Sequence, residues 1–232
     1  MENLRNNDWH SIHGSLDAHG YAVVPRILSE IDCSEIINLY KNDKFFRNTI
    51  NMQRYRFGQG EYKYLNYPLP PIITSLRESF YRALVPIANQ WMDLLGIPGK
   101  YPEEHKEFVL SCHLKNQSRP TPLILRYEAG GYNTLHQDMY GEIYFPIQVV
   151  LMLTENGRDY EGGQLIFVEQ LPRAQSRAEV VSPQLGDAVI FTTNFRPVKG
   201  SRGYYRAKVK HGTSPVKSGV RFALGIIFHD AV

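Results

Sequence analysis

The sequence predicts an α+β fold in which helices come first and a sandwich or jelly roll of short strands follows. Three observations carry this reading. Helical periodicity dominates residues 1–121. From Pro122 onward, about seven short apolar runs recur at hairpin spacing, broken by glycine-rich turns. The two textures form separate blocks instead of alternating, which argues against a βαβ architecture. Residues 1–121 are therefore expected to form a helical N-terminal part and residues 122–232 the jelly-roll core, the whole making a single folded unit. With 43% of its 232 residues hydrophobic and 12% aromatic, the chain can bury a core of that size.

In chain order, Asp8 is placed to cap a helix that runs to His19 and stops at Gly20. Tyr21-Ala22-Val23-Val24 reads as a strand closed by Pro25. Ile31, Ile36, Ile37 and Tyr40 stand at helical spacing over residues 29–40. Residues 45–68 interleave basic and aromatic side chains, including Arg47, Arg54, Tyr55, Arg56, Phe57, Tyr62, Lys63 and Tyr64. They read either as a hairpin whose rings pack on the core or as a substrate lid that stacks a planar group and steers an anion. Pro70 and Pro71 open a long helix over 70–95. Its stripe of Ile73, Leu76, Phe80, Leu84, Ile87 and Trp91 should lie across a sheet. Pro86 inside it predicts a kink or a break into two helices. A further helix is expected over 102–114.

Strands are expected over 123–127, 145–153, 164–168, 178–181, 188–191, 203–210 and 220–228. The longest irregular stretch is 192–202. Residues 196–210 carry Arg196, Lys199, Arg202, Arg206, Lys208 and Lys210 and no acid, and should rim the mouth of any pocket formed there. The net charge of +3 is too mild to predict nucleic-acid binding by itself. No apolar run approaches the roughly 18 residues of a membrane span. The first residues lack the apolar segment of a secretory signal. Cys33 and Cys112 do not make a disulfide framework, so a reducing cytoplasm is the expected location.

The chemistry concentrates in His136-Gln137-Asp138. In an extended chain, residues i and i+2 share a face, so one imidazole and one carboxylate reach the same small volume. These are two of the three ligands of a 2-His-1-carboxylate triad, which leaves open positions on a non-haem Fe(II). A distant histidine must complete it. His211, between two strand-like runs, is the best candidate, with His229 beside Asp230 as its rival. Arg221, following His211, offers a guanidinium that can pair bidentately with the carboxylate of an acidic cosubstrate. His10, His13, His19, His105 and His113 lie in polar, helix-like stretches and read as surface residues.

On these residues the chain resembles the Fe(II)/2-oxoglutarate-dependent dioxygenases, whose core is a double-stranded β-helix with helices packed on one sheet. More narrowly, it resembles a bacterial and fungal family of such oxygenases associated with damaged DNA. The narrower likeness rests on Gly60-Glu61-Tyr62-Lys63-Tyr64, Arg119-Pro120-Thr121-Pro122, His136-Gln137-Asp138-Met139-Tyr140-Gly141-Glu142, Gly186-Asp187-Ala188 and Gly225-Ile226-Ile227-Phe228-His229-Asp230. The resemblance implies His136, Asp138 and His211 as iron ligands and as the catalytic centre. It implies Arg221 as the clamp on the far carboxylate of 2-oxoglutarate, and Tyr127 as a further hydrogen-bonding partner of that cosubstrate unless it is only a core tyrosine. Met152 stands where prolyl-hydroxylase-like relatives carry a tyrosine.

The implied reaction consumes 2-oxoglutarate and O2 to hydroxylate a C–H bond. One expected substrate is a modified nucleic-acid base, engaged through the basic, aromatic segments 52–67 and 195–210. The alternative is a protein side chain, as in prolyl hydroxylases, or a small molecule. A non-enzymatic, cupin-like binding module is the third class, but it would have no use for an inward-pointing Arg221. The residues do not specify the oligomeric state.

Overall fold

The structure is a computed structural model that describes Leu4 and residues 6–232. Its elements are α1 (Trp9–His19), β1 (Tyr21–Val24), α2 (Glu30–Leu39), a 3-10 turn (Asp43–Phe45), β2 (Phe46–Asn51), α3 (Met52–Tyr55), β3 (Gly58–Gln59), β4 (Glu61–Leu65), α4 (Pro71–Leu94) and α5 (His105–His113). Strands follow: β5 (Leu123–Glu128), β6 (Tyr132–His136), β7 (Ile147–Met152), β8 (Tyr160–Gly162), β9 (Leu165–Gln170), β10 (Arg177–Val181), β11 (Ala188–Thr192), β12 (Phe195–Gly200), β13 (Gly203–Thr213) and β14 (Val216–Ile226).

Two antiparallel sheets face each other. The main sheet has the order β1-β11-β7-β14-β5-β4-β2, with β8 also paired to β14. The second has the order β10-β9-β13-β6-β3, with β12 added on β13. This is the expected jelly roll. The period of two along each strand builds its core. On β7 every residue is buried, because Ile147, Val149 and Leu151 face the helices while Val150 and Met152 face the second sheet. β11 divides likewise, with Ile190 toward the helices and Val189 and Phe191 inside. The stripe of α4 fills the helical side: Ile73, Leu76, Phe80, Leu84, Ile87 and Trp91 are at most 1% exposed. Each such side chain contributes about 1.5–3 kcal/mol on burial.

Several expectations are corrected. α4 runs unbroken from Pro71 to Leu94 with Pro86 inside it. Pro86 is exposed, so the carbonyl it leaves unpaired one turn earlier lies on the wet side, while the dry side is held to the sheet. Ile31 is 72% exposed; its spacing from Ile36 places the two on different sides of α2, which buries Cys33 and Ile36. Residues 192–202 contain the strand β12, formed by pairing with β13 from Phe195↔Lys208 to Gly200↔Gly203. Residues 45–68 form a hairpin, one of the two readings expected, with β2 and β4 paired on the edge of the main sheet and α3 and β3 inserted between them. Among the described residues, no helix is long and apolar enough to cross a membrane.

A buried ion pair ties α4 to the C-terminal segment. Arg77 is 2% exposed and donates to Asp230 Oδ1 at 2.8 Å, and to the carbonyls of Ile227 and Phe228 at 2.9 Å each. Tyr67 and His113 complete the hydrogen bonds of Asp230, each at 2.9 Å. Removing one partner strands the other charge in the interior. Arg77→Ala should therefore cost about 3–5 kcal/mol in chemical denaturation, and a loss under 1 kcal/mol would show the pair to be dispensable.

His105, expected at the surface, is 7% exposed. It packs on Tyr81 at 4.9 Å and donates to the Phe228 carbonyl at 2.9 Å. Burial, helped by the Arg77 cation, pushes its pKa down to about 3. The unfolded chain then binds a proton below pH ~6.5 that the native state refuses, so stability should fall as pH drops from about 6.5 to 4.5. His105 contributes up to about 1.4 kcal/mol per pH unit to that slope. His105→Gln should flatten the curve by about that amount, and an unchanged slope would refute the assignment.

Candidate active site

Cross-strand pairing assembles the site. His136 ends β6 and His211 lies within β13, and the register sets His211 directly opposite His136. Their rings are 4.2 Å apart. Gly212 permits this approach: a Cβ there would stand 2.8 Å from the Asn133 carbonyl oxygen across the strands. Asp138 follows just beyond β6. The Gln137 amide fastens the intervening turn to the carbonyls of Asn194 and Val209, both at 2.9 Å. Asp138 Oδ2 then lies 3.1 Å from His211 Nε2, and Oδ1 lies 3.6 Å from His136 Nε2. One donor atom from each of the three residues lies within 4.8 Å of the others, a spacing that can hold a metal ion.

Neighbouring groups orient these donors. His136 Nδ1 lies 2.7 Å from the Thr134 carbonyl, which fixes that nitrogen as the N–H and leaves Nε2 free to donate a lone pair. The Tyr140 hydroxyl donates to Asp138 Oδ1 at 2.7 Å. Burial opposes ionisation of Asp138, but His136, His211 and the Tyr140 hydroxyl outweigh it and hold the carboxyl well below the usual carboxylate range. Burial, with His136 nearby, lowers the pKa of His211 against the pull of Asp138, so its ring is neutral near pH 7. The pair of neutral imidazole and carboxylate is suited to a divalent cation.

Arg221 stands on the inner face of β14, opposite Tyr127 on β5. It is 1% exposed, and no described carboxylate comes within 4.0 Å of it. Its Nη2 lies 3.4 Å from the sulfur of Met152, and its Nε makes no hydrogen bond. The rings of Tyr127 and Tyr160 flank it at 5.5 and 6.0 Å. The Tyr127 hydroxyl is also buried, without a well-formed hydrogen bond although Thr213 and Asn133 lie near it, and burial pushes its pKa up to about 12 against the Arg221 cation. Tyr127 is thus both a core residue and part of the site. A cavity of about 220 Å³ connects Arg221 and Tyr127 with His136, Asp138 and His211.

The structure separates the other sequence candidates. His229 is fully buried and accepts from the Phe145 amide at 3.3 Å, with the Tyr140 ring tilted against it 5.9 Å away, and it is not part of the three-residue cluster. His10, His19 and His113 are exposed as expected, while His13 is half-buried and bonded to the Ala83 carbonyl. The basic run does not rim the cavity as expected. Arg206, Lys208 and Lys210 are exposed and alternate with buried Ala207, Val209 and His211, which turns them to the outer face of the second sheet. Arg196 is bound to Glu169. The segment that reaches the cavity is instead residues 54–57, in which Arg54 and Arg56 are exposed and the rings of Tyr55 and Phe57 stack 5.5 Å apart. Phe57 lines the cavity, and its carbonyl accepts from the Thr134 amide at 2.8 Å. Sequence reading gave no role to Tyr140 or to Gln148, which also lines the cavity. Gln148 could have been noticed as the one polar side chain in the apolar run 145–153.

Two facing antiparallel sheets around a partly buried His-Asp-His cluster define an oxygenase-type jelly roll. Residues 60–231 match the Oxygenase-NA family, described as an oxygenase catalysing oxidative methylation of damaged DNA, and the chain belongs to that family. The uncharacterized protein Rv2227 of Mycobacterium tuberculosis is 44% identical over 164 residues, 71% of this chain and 70% of that one. Among solved structures, a Pseudomonas putida prolyl-4-hydroxylase superposes with a TM-score of 0.57 at 15% identity, covering 97% of this chain and 99% of its own. A Burkholderia pseudomallei oxidoreductase of the 2OG-Fe(II) oxygenase family superposes with a TM-score of 0.57 at 12% identity, covering 98% and 94%. The family and fold expected from the sequence are those found, and the protein is an oxygenase, hence an oxidoreductase.

Proposed function

We propose that the protein is an Fe(II)- and 2-oxoglutarate-dependent dioxygenase that hydroxylates a C–H bond on a damaged or modified nucleic-acid base. His136, Asp138 and His211 hold the iron, Arg221 clamps the far carboxylate of 2-oxoglutarate, and Tyr127 donates to the same cosubstrate. One observation carries this reading: a buried guanidinium without a carboxylate partner lines the same cavity as the His-Asp-His cluster. Leaving a charge in that state is costly, and a small dianion would satisfy it together with the buried Tyr127 hydroxyl. Nitrogen and oxygen donors without a thiolate suit iron better than structural zinc.

When bound, iron and 2-oxoglutarate supply the oxidising power, with O2 as oxidant and succinate and carbon dioxide as by-products. The chain supplies the rest. His136, Asp138 and His211 would hold the metal, the Tyr140 hydroxyl steadies the Asp138 carboxylate, and the apolar walls exclude water. An N-methyl group hydroxylated in this way would release formaldehyde. The nucleic-acid reading is supported by the family and by Phe57, which lines the cavity and stacks on Tyr55 in a segment that also carries the exposed Arg54 and Arg56.

The test is succinate release from labelled 2-oxoglutarate by the iron-loaded protein, with methylated oligonucleotides as substrates. Turnover should exceed the His136→Ala background and vanish on chelation of iron; no excess across several substrates would count against the reading. Tyr140→Phe should weaken iron binding by about 10–100-fold, as loss of an orienting partner does elsewhere. A second reading, hydroxylation of a protein side chain or a small molecule, is favoured by the prolyl-hydroxylase likeness of the fold and by the outward turn of Arg206, Lys208 and Lys210. Peptide-dependent succinate release without any oligonucleotide effect would select it.

A further inference from the structure

We propose that Gln148 reads the primary substrate, its side-chain amide pairing with an adjacent acceptor and donor on one edge of a nucleobase. This rests on the nucleic-acid reading above and names the group that recognises the base. Gln148 is 2% exposed and stands alone among apolar neighbours on β7. Its Nε2 makes no hydrogen bond, although it lines the cavity. An unsatisfied buried amide is a standing cost that an apolar residue would avoid, so its presence points to a partner that arrives from the cavity.

Its position separates it from the cosubstrate end. Along the β7–β14 ladder, Ala223 pairs with Met152 and Gly225 with Val150. Arg221, in contact with Met152, lies beyond one end of this apolar floor, and Gln148 lies beyond the other. The register also sets Gln148 opposite Phe191, whose ring packs 4.7 Å from His211. The His-Asp-His cluster therefore lies over the same stretch of sheet as Gln148. The cavity wall near it is completed by Leu123, Ile227 and the rings of Tyr62 and Tyr140. Gly225 contributes no side chain, so the floor stays low.

A cavity end with apolar and aromatic walls and the unpaired amide of Gln148 suits an uncharged planar ring. The amide offers one acceptor and a donor side by side, the complement of the adjacent acceptor and donor carried by adenine or cytosine. A pyrrolidine ring has no such edge, and a carboxylate would favour the cation at the far end.

The experiment uses the full-length, iron-loaded protein and Gln148→Met, whose side chain matches the length and suits the apolar surroundings. Affinity for 2-oxoglutarate is read anaerobically from the visible charge-transfer band of its iron complex. Succinate release is titrated with single-stranded oligonucleotides methylated at adenine or at cytosine. The proposal expects 2-oxoglutarate affinity within about twofold of wild type and a KM for the oligonucleotide raised about tenfold or more, the size of one lost base-edge pair. Gln148→Glu, which removes the donor, should raise KM similarly. Three results would overturn it. Equal stimulation of wild type and Gln148→Met would leave the nucleic-acid reading standing and remove Gln148 from recognition. A parallel loss of 2-oxoglutarate affinity would make Gln148 a cosubstrate anchor. Absence of any oligonucleotide stimulation in wild type would remove the nucleic-acid reading and this assignment with it.

Discussion

Arg221→Met is expected to raise the dissociation constant for 2-oxoglutarate by about 10²–10³-fold while leaving the fold at least as stable as before. The two effects have one cause. The guanidinium is buried beside Met152, Tyr127 and Tyr160, and no described carboxylate neutralises it. In the free protein, that isolated charge costs folding energy, and an apolar residue of similar length relieves it. With the diacid bound, the same charge would make two charge-assisted hydrogen bonds of about 1.5–3 kcal/mol each. At 1.4 kcal/mol per tenfold, their loss accounts for the predicted fall in affinity. Anaerobic titration of 2-oxoglutarate and a urea denaturation curve measure the two halves separately. An arginine that served only structure would give the reverse result, with unaltered affinity and lower stability.

Asp138→Asn should abolish iron binding at micromolar metal and reduce succinate release to background, with the chain still folded. The substitution keeps the shape and an oxygen for the Tyr140 hydroxyl, but it removes the negative charge lying 3.1 Å from His211 Nε2 and 3.6 Å from His136 Nε2. Loss of an outer partner such as Tyr140 costs about 10–100-fold in metal affinity, and loss of the anionic ligand itself should exceed that. Anaerobic Fe(II) titration reads the outcome, with circular dichroism as the control for folding. Retention of tight iron binding by Asp138→Asn would show that the metal is held elsewhere.

Much of this site was legible because its elements are local. His136 and Asp138 are neighbours in the chain, so their proximity needed no knowledge of the fold. The helix caps were legible for the same reason: Asp8 accepts from the Ser11 amide, and Gly20 takes the left-handed conformation that closes α1. The choice of His211 over His229 drew on the arginine that follows it, and the β6–β13 register sets His211 opposite His136. The misses share a different character. Polarity placed His105 at the surface, but packing against Tyr81 buried it. Pro86 has the chemistry to break a helix, but the sheet under α4 held it together. Residues 195–200 carry little periodicity of their own and became a strand through β13.

Composition and short-range pattern thus determined the fold class, the order of helices and strands, and the His-x-Asp pair, because each depends on residues close together in the chain. Only the tertiary structure decided which side of each strand is the inside. It turned Lys208 and Lys210 outward, set Arg221 and Gln148 at opposite ends of one apolar floor, and brought Phe57 to the cavity. A period of two marks two faces on a strand but does not label them, and the label is assigned by whatever packs against each face.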